Sequence, residues 1–166
     1  YNKKTNTIYE GTFLNDERSG EGTEYIEGSS YTYKGSWLKN QKNGYGEFID
    51  KDGTQYVGYF ENGEIKGEGI KTNSNGDLVA GNWINNDYPS GDNCSYFGTS
   101  GQQYYGEIVN GKLEGYGVFI DSNGTKYEGT FTQNQRTGFG QQIYPDGSVY
   151  TGYYYGNQRN KEGIFE

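Results

Sequence analysis

The segment YEGTFTQNQRTGFG, residues 127–140, places Tyr127, Gly129 and Phe131 at alternate positions, then runs through polar residues into Gly138-Phe139-Gly140. Alternate residues share one face of a strand, so the first half reads as a strand with an aromatic face. The closing Gly-x-Gly admits three readings: a phosphate cradle, a hinge or a turn. The rest of the chain decides among them, because this segment is one of several copies.

The pattern aromatic-x-Gly-x-aromatic recurs as Tyr9-Gly11-Phe13, Tyr33-Gly35-Trp37 and Tyr56-Gly58-Phe60. Looser copies are Val79-Gly81-Trp83, Tyr104-Gly106-Ile108 and Tyr150-Gly152-Tyr154. The central glycines, at 11, 35, 58, 81, 106, 129 and 152, are 24, 23, 23, 25, 23 and 23 residues apart. Nine residues beyond most of them a Gly-x-Gly follows, at 20/22, 44/46, 67/69, 115/117 and 138/140. The fourth copy departs, with Pro89, Gly91 one position late, and Asn93 where the last glycine is expected; the seventh has Lys161 and a displaced Gly163. Asp52-Gly53, Asn75-Gly76, Asn123-Gly124 and Asp146-Gly147 close most copies, and such dipeptides accept the positive φ of tight turns. Asn62-Gly63 and Asn110-Gly111 act likewise inside the third and fifth.

Each copy therefore reads as strand, polar turn, strand, turn, with the Gly-x-Gly starting the return strand. A phosphate loop would need its glycines to lead from a strand into a helix N-terminus. Here they lead into another strand, so they are turn and packing positions. Glycine between two aromatics is expected to leave a gap that a ring from the neighbouring strand fills.

Composition agrees. The chain has 166 residues with 19 Tyr, 8 Phe, 2 Trp and 29 Gly, but only four Leu, one Ala and no Met. Aromatic and β-branched residues suit a pleated surface, while glycine disfavours helix. The expectation is an all-β fold: an elongated, single-sheet antiparallel β-solenoid of about seven stacked β-hairpin repeats, with no helices of note. About 14 strands at ~4.8 Å spacing would give a sheet roughly 65 Å long with two open edges. Residues 1–8 align onto 48–55 as the tail of a truncated repeat. The repeats then run 9–32, 33–55, 56–78, 79–103, 104–126, 127–149 and 150–166, as one continuous domain. Neither end has a polar cap, so a longer array, or another chain covering the ends, is expected.

Tyr33-x-Gly35-x-Trp37 with Gly44-x-Gly46 and Asp52-Gly53 resembles the MORN repeat (membrane occupation and recognition nexus), and about seven copies extend the resemblance over nearly the whole chain. The family's common His before the Gly-x-Gly is absent; Ser19, Asn43, Lys66, Ser90, Glu114 and Thr137 stand there. The resemblance implies a single layer of hairpins serving as a non-catalytic scaffold or protein-interaction module. Family members occur in ciliary axonemes, cytoskeletal complexes and membrane junctions, and beside enzymatic domains. Seventeen Asn with frequent Ile, Lys and Tyr suggest an AT-rich genome, as in many protists. With the family, that points to a cytoplasmic axonemal or cytoskeletal complex.

The net charge of −8, with no basic cluster, disfavours nucleic acid, and it disfavours membrane despite the family's name. There is no His, so the commonest general base is missing, and no metal or other cofactor is expected. Cys94, the one cysteine, forms no internal disulfide and reads as a loop thiol rather than a nucleophile. The acidic pair Glu21 and Glu24 reads as surface charge rather than a glycosidase dyad. The run from Asp50 to Gly53 lacks the later positions of a calcium loop. Acids gather in the first repeat and lysines in the second, which reads as surface variation.

The aromatic positions Tyr33, Trp37, Tyr56, Phe60, Trp83, Tyr104 and Tyr127 are the remaining candidates. They either pack the sheet or line a groove that binds a partner protein. The alternatives are a carbohydrate or cell-wall binding module that stacks sugars on these rings and, less favoured, a phospholipid tether. Partners are expected to be other proteins of a larger complex, with homo-oligomerisation or end-to-end packing as a further expectation.

Overall fold

The computed structural model describes residues 5–160 and 162–166. Residues 1–4 of the expected truncated repeat, and Lys161 of the seventh copy, lie outside the described residues. The described chain is all-β, with no helix, and its strands pair antiparallel in successive hairpins. It divides into two compact units, 1–78 with 83–86, and 79–82 with 87–166.

In the first unit, β1 (Thr7–Leu14), β2 (Glu17–Ile26), β3 (Thr32–Leu38), β4 (Gln41–Ile49), β5 (Gln55–Glu61) and β6 (Glu64–Thr72) pair in that order. Strand β7 (Leu78–Trp83) gives Leu78 and Trp83 to the first unit and Val79–Asn82 to the second. The second unit continues with β8 (Gly91–Phe97), β9 (Gln103–Val109), β10 (Lys112–Ile120), β11 (Lys126–Thr132), β12 (Gln135–Ile143), β13 (Val149–Tyr155), β14 (Gln158–Arg159) and β15 (Ile164–Phe165). Its strands again pair in sequence through β14, and β15 returns to β13.

Two turns alternate along each unit, and both follow from local chemistry. The turn inside a hairpin has two residues with left-handed φ, 52° and 88° at Asn62-Gly63 and 50° and 67° at Gln133-Asn134. Two such residues match the right-handed twist of the flanking strands. The turn between hairpins is a tight loop: the Asp121 amide donates to the Thr125 carbonyl (2.9 Å), and the Gly124 amide to the Asp121 carbonyl (2.8 Å). The Asn123 side chain completes it by accepting from the Thr125 amide at 2.8 Å. Asp52 serves the equivalent turn: the Thr54 amide and hydroxyl donate to its carboxylate and hold it below the usual carboxylate range. The Asp50–Gly53 run is therefore a turn.

One detail differs from expectation. The return strand starts three residues before the Gly-x-Gly, at Gln135 rather than Gly138. The two glycines then do different work. Gly129 pairs with Gly140 but Thr130 with Thr137, so Gly138-Phe139 forms a bulge, with Gly138 at φ 60°. The bulge gives Gly138 its left-handed backbone, and Gly140 lies flat beneath a ring.

Strand β5 alternates exposed and buried residues without a break, Tyr56, Gly58 and Phe60 being buried. The aromatic columns occupy this buried face; the opposite face meets solvent.

Candidate functional site

In every copy but the fourth, the ring that fills the space above the central glycine comes from the same strand, not from the neighbour. A Cβ built on Gly129 would sit 2.5 Å from the Tyr127 hydroxyl, and one on Gly140 within 2.6–2.8 Å of that ring. Tyr127 thus folds back over its own glycine and the facing one, because its hydroxyl donates to the Thr130 carbonyl (3.1 Å) three residues on. Tyr33 repeats this with Ser36 (2.9 Å), Tyr56 with Tyr59 (3.2 Å) and Tyr104 with Glu107 (2.8 Å).

The second aromatic of each motif packs edge-on against the tyrosine of the preceding copy. Phe60 meets Tyr33 at 5.1 Å between ring centroids, Trp83 meets Tyr56 at 5.8 Å, and Phe131 meets Tyr104 at 5.5 Å, all at 83–88°. Indole N–H groups reach back too, from Trp37 to the Gly22 carbonyl (3.2 Å) and from Trp83 to that of Gly69 (2.9 Å). The columns are therefore the core. Tyr33, Trp37, Tyr56, Phe60, Trp83, Tyr104 and Tyr127 are all 0–5% exposed. All seven pack the core, and Tyr56, Phe60 and Tyr127 also form the floor of grooves whose walls are the side chains that cover them.

What covers them is charge and polar side chains that sequence reasoning did not single out. The Arg18 guanidinium lies 4.1 Å from the Trp37 ring centre, the Lys42 ammonium 4.9 Å from that of Tyr33, and Arg136 5.5 Å from both Tyr127 and Tyr154. Such stacking is favourable because the ring face carries negative charge. Burial on the rings pushes the Lys42 pKa down. Desolvation pushes the phenols up, Tyr56 and Tyr154 to about 12.

A second missed device is an asparagine staple between repeats. Asn134, in the turn of one hairpin, accepts from the Leu113 amide (2.8 Å) and returns its own amide to the Leu113 carbonyl (3.1 Å). Asn40 does the same for Arg18 and Asn157 for Arg136, and Asn86 accepts from the Ile65 amide. The signal was present as an asparagine five residues after the central glycine. Its φ of 67° at Asn134 also suits asparagine. Asn134→Gly, which keeps the backbone conformation but loses the bond, is expected to cost about 1 kcal/mol. Asn134→Ala adds left-handed strain and should cost about 2 kcal/mol. Thermal unfolding followed by circular dichroism should rank them wild type, Gly, Ala.

The fourth copy shows how the motif fails and is repaired. Val79 replaces the tyrosine, so no ring lies over Gly81. Pro89 and Cys94 occupy that space, where a Cβ on Gly81 would come within 2.9 Å of each. Cys94, not Asn93, takes the last-glycine position, since it pairs with Gly106 as Gly140 pairs with Gly152. A side chain fits there because the ring is gone. Cys94 is thus a buried residue within β8 rather than a loop thiol, and burial raises its pKa above the ordinary thiol value. In the seventh copy Gly163 takes the glycine role despite its displacement, under the Tyr150 ring.

The acidic pair is split. Glu24 is paired to Arg18 on the aromatic face, while Glu21 lies on the other face and accepts from the Ser36 hydroxyl (2.6 Å). Among the described residues no group of three or more carboxylates and cysteines converges to hold a metal ion.

Above the covered columns runs a groove that recurs. In the second unit about 610 Å³ is lined by Leu113, Phe119, Asp121, Arg136, Gln142 and Tyr144 among others. In the first unit about 290 Å³ is lined by Lys42, Phe48, Asp50, Ile65 and Lys71 among others. Phe48 and Phe119, Asp50 and Asp121, Ile65 and Arg136, and Lys71 and Gln142 are equivalent positions, each pair separated by the same three-repeat offset. The turn and floor recur, and the walls change from cationic and apolar to neutral and cationic.

The MORN repeat family model matches residues 9–30, 33–55, 56–78, 104–126 and 127–149. It passes over the fourth and seventh copies, the two that depart from the motif. Among solved structures, the G-box domain of the microcephaly protein CPAP, for which a role in centriole elongation is suggested, aligns at 14% identity over 89% of this chain and 80% of its own, with a TM-score of 0.43. A mutant TCP10 domain of Danio rerio CPAP aligns at 15% over 81% and 67%, with a TM-score of 0.36. The wild-type domain, in complex with a peptide of Danio rerio STIL, aligns at 14% over 89% and 83%, with a TM-score of 0.24.

Proposed function

We propose, since this chain belongs to the MORN repeat family, that it is a non-catalytic scaffold and protein-interaction module in a larger assembly. The observation that carries this reading is the recurring groove. Each unit presents the same backbone frame at positions three repeats apart, with side chains that differ between the two grooves, which suits a protein segment seated in a groove. The buried columns set the frame, and the rim residues Phe119 and Tyr144 would make the contacts. The setting we propose is a cytoskeletal or axonemal complex in the cytoplasm, one of those in which family members occur.

Affinity purification from the source cells, with crosslinking, tests it. A defined set of proteins is expected, crosslinked to the groove rim and lost in Phe119→Leu, Tyr144→Leu, a variant that keeps apolar bulk against the core and is checked for its sheet signal by circular dichroism. A monodisperse monomer with no partner would overturn the reading. So would glycan-array binding abolished by the same variant, because the groove's aromatics beside Asp121 and Asp146 also suit sugars. Flotation with phosphoinositide vesicles at physiological salt would restore the membrane role that the net charge of −8 opposes.

A further inference from the structure

The solvent face of β4–β6 carries a compact apolar block. Tyr45, Val57, Tyr59 and Ile70 are 52, 38, 50 and 46% exposed. Register joins them: Tyr45 faces Tyr59, with ring centroids 5.7 Å apart, and Val57 stands between Glu47 on β4 and Ile70 on β6. Glu47 borders the block on the β4 side and Glu68, next to Gly69, on the β6 side.

Three cations of this unit lie on the aromatic face. Arg18, Lys42 and Lys71 are stacked on rings of the aromatic face, Arg18 being paired to Glu24 as well. Glu47 and Glu68 on the opposite face are exposed, and no described lysine or arginine is bonded to either. Lys34 stands across from Glu47 in register, and Lys66 is paired to Glu61. The block is thus an apolar strip with a carboxylate on each flank.

We propose that this strip is a docking face for a basic amphipathic α-helix of a partner protein. Three strands at ~4.8 Å spacing present a strip roughly 10 Å wide, which matches the width of a helix. The apolar stripe of the helix would cover the two tyrosines, Val57 and Ile70, while Lys or Arg along its edges would meet Glu47 and Glu68. The same carboxylates repel anionic lipid and nucleic acid. This site is independent of whatever lies along the aromatic face.

The test is a fluorescence-anisotropy titration of the whole chain with two labelled helical peptides, each with a Leu stripe, one edged with Lys and the other with Glu. The Lys peptide is expected to bind at least about tenfold more tightly, and less so in salt. Glu47→Lys with Glu68→Lys should reverse the preference. Tyr59→Ser with Ile70→Ser should weaken binding about tenfold or more. Glu47→Gln with Glu68→Gln leaves the apolar strand residues in place and should weaken it by about threefold or more, which guards against loss of fold in the serine variant. Equal binding of the two peptides, or indifference to the charge variants, overturns the proposal. So does concentration-dependent self-association that Tyr45→Ser abolishes, because the strip would then be a contact between copies of this chain.

Discussion

Gly140→Ala is expected to lower unfolding stability by about 3 kcal/mol, a large share of what a domain of this size holds. The added methyl would lie 2.6 Å from the Tyr127 hydroxyl and 2.7 Å from its ring carbon. The ring cannot simply retreat. Its hydroxyl is bonded to the Thr130 carbonyl, and it is wedged edge-on between Phe131 at 5.2 Å and Tyr154 at 5.0 Å. Tyr127→Ala alone should cost about 3–5 kcal/mol through the cavity it leaves. The double variant should cost clearly less than the sum, because removing the ring removes the clash, with a coupling of more than about 1 kcal/mol. Gly147→Ala is the control. Nothing lies within 4 Å of its Cβ position, and only its φ of 89° opposes alanine, so about 1 kcal/mol is expected. Denaturant unfolding measures all four. Strict additivity of Gly140→Ala and Tyr127→Ala would show that the ring does not occupy the space above Gly140.

Alkaline unfolding is the second large effect. The pKa values of Tyr33, Tyr56, Tyr104, Tyr127 and Tyr154 are all raised, and in each case desolvation is the leading cause. Arg136 opposes the shift at Tyr127 and Tyr154 without cancelling it. Because the folded values lie above the unfolded value of 10.0, the fold favours the neutral phenol. That stabilisation is complete below pH 10 and is lost as pH climbs through the folded values, about 12 for Tyr56 and Tyr154. Stability should therefore fall steeply between pH 10 and 12, and the buried phenols should ionise in one late step together with loss of the sheet signal. Early ionisation of these tyrosines with the sheet intact would contradict the packing of the columns.

Much of this was legible because it is local. Asn62-Gly63 and Asn123-Gly124 announce turns through the φ values their own backbones accept, and Tyr-x-Gly-x-Phe announces a strand face by its spacing of two. The period near 23 residues then marked the copies, five of which the family model matches, and Pro89, Gly91 and Asn93 marked the fourth as a departure. Yet each glycine's role was only half visible. Gly138 and Gly140 look alike in sequence, and pairing across to Thr130 and Gly129 makes one a bulge and the other the floor under a ring.

The candidate site was less legible still. The seven aromatic positions were found, but whether they are groove or core depends on what lies over them, and that arrives from elsewhere in the chain. Arg18 covers Trp37 from 19 residues away, and Asn134 holds Leu113 from 21. The sequence by itself determined the strands, the turns and the repeat, since these follow from backbone preferences and side-chain alternation within a few residues. The tertiary structure alone decided which ring shields which glycine, which cations cap the columns and which face keeps its carboxylates, because those depend on contacts between repeats and on exclusion of water.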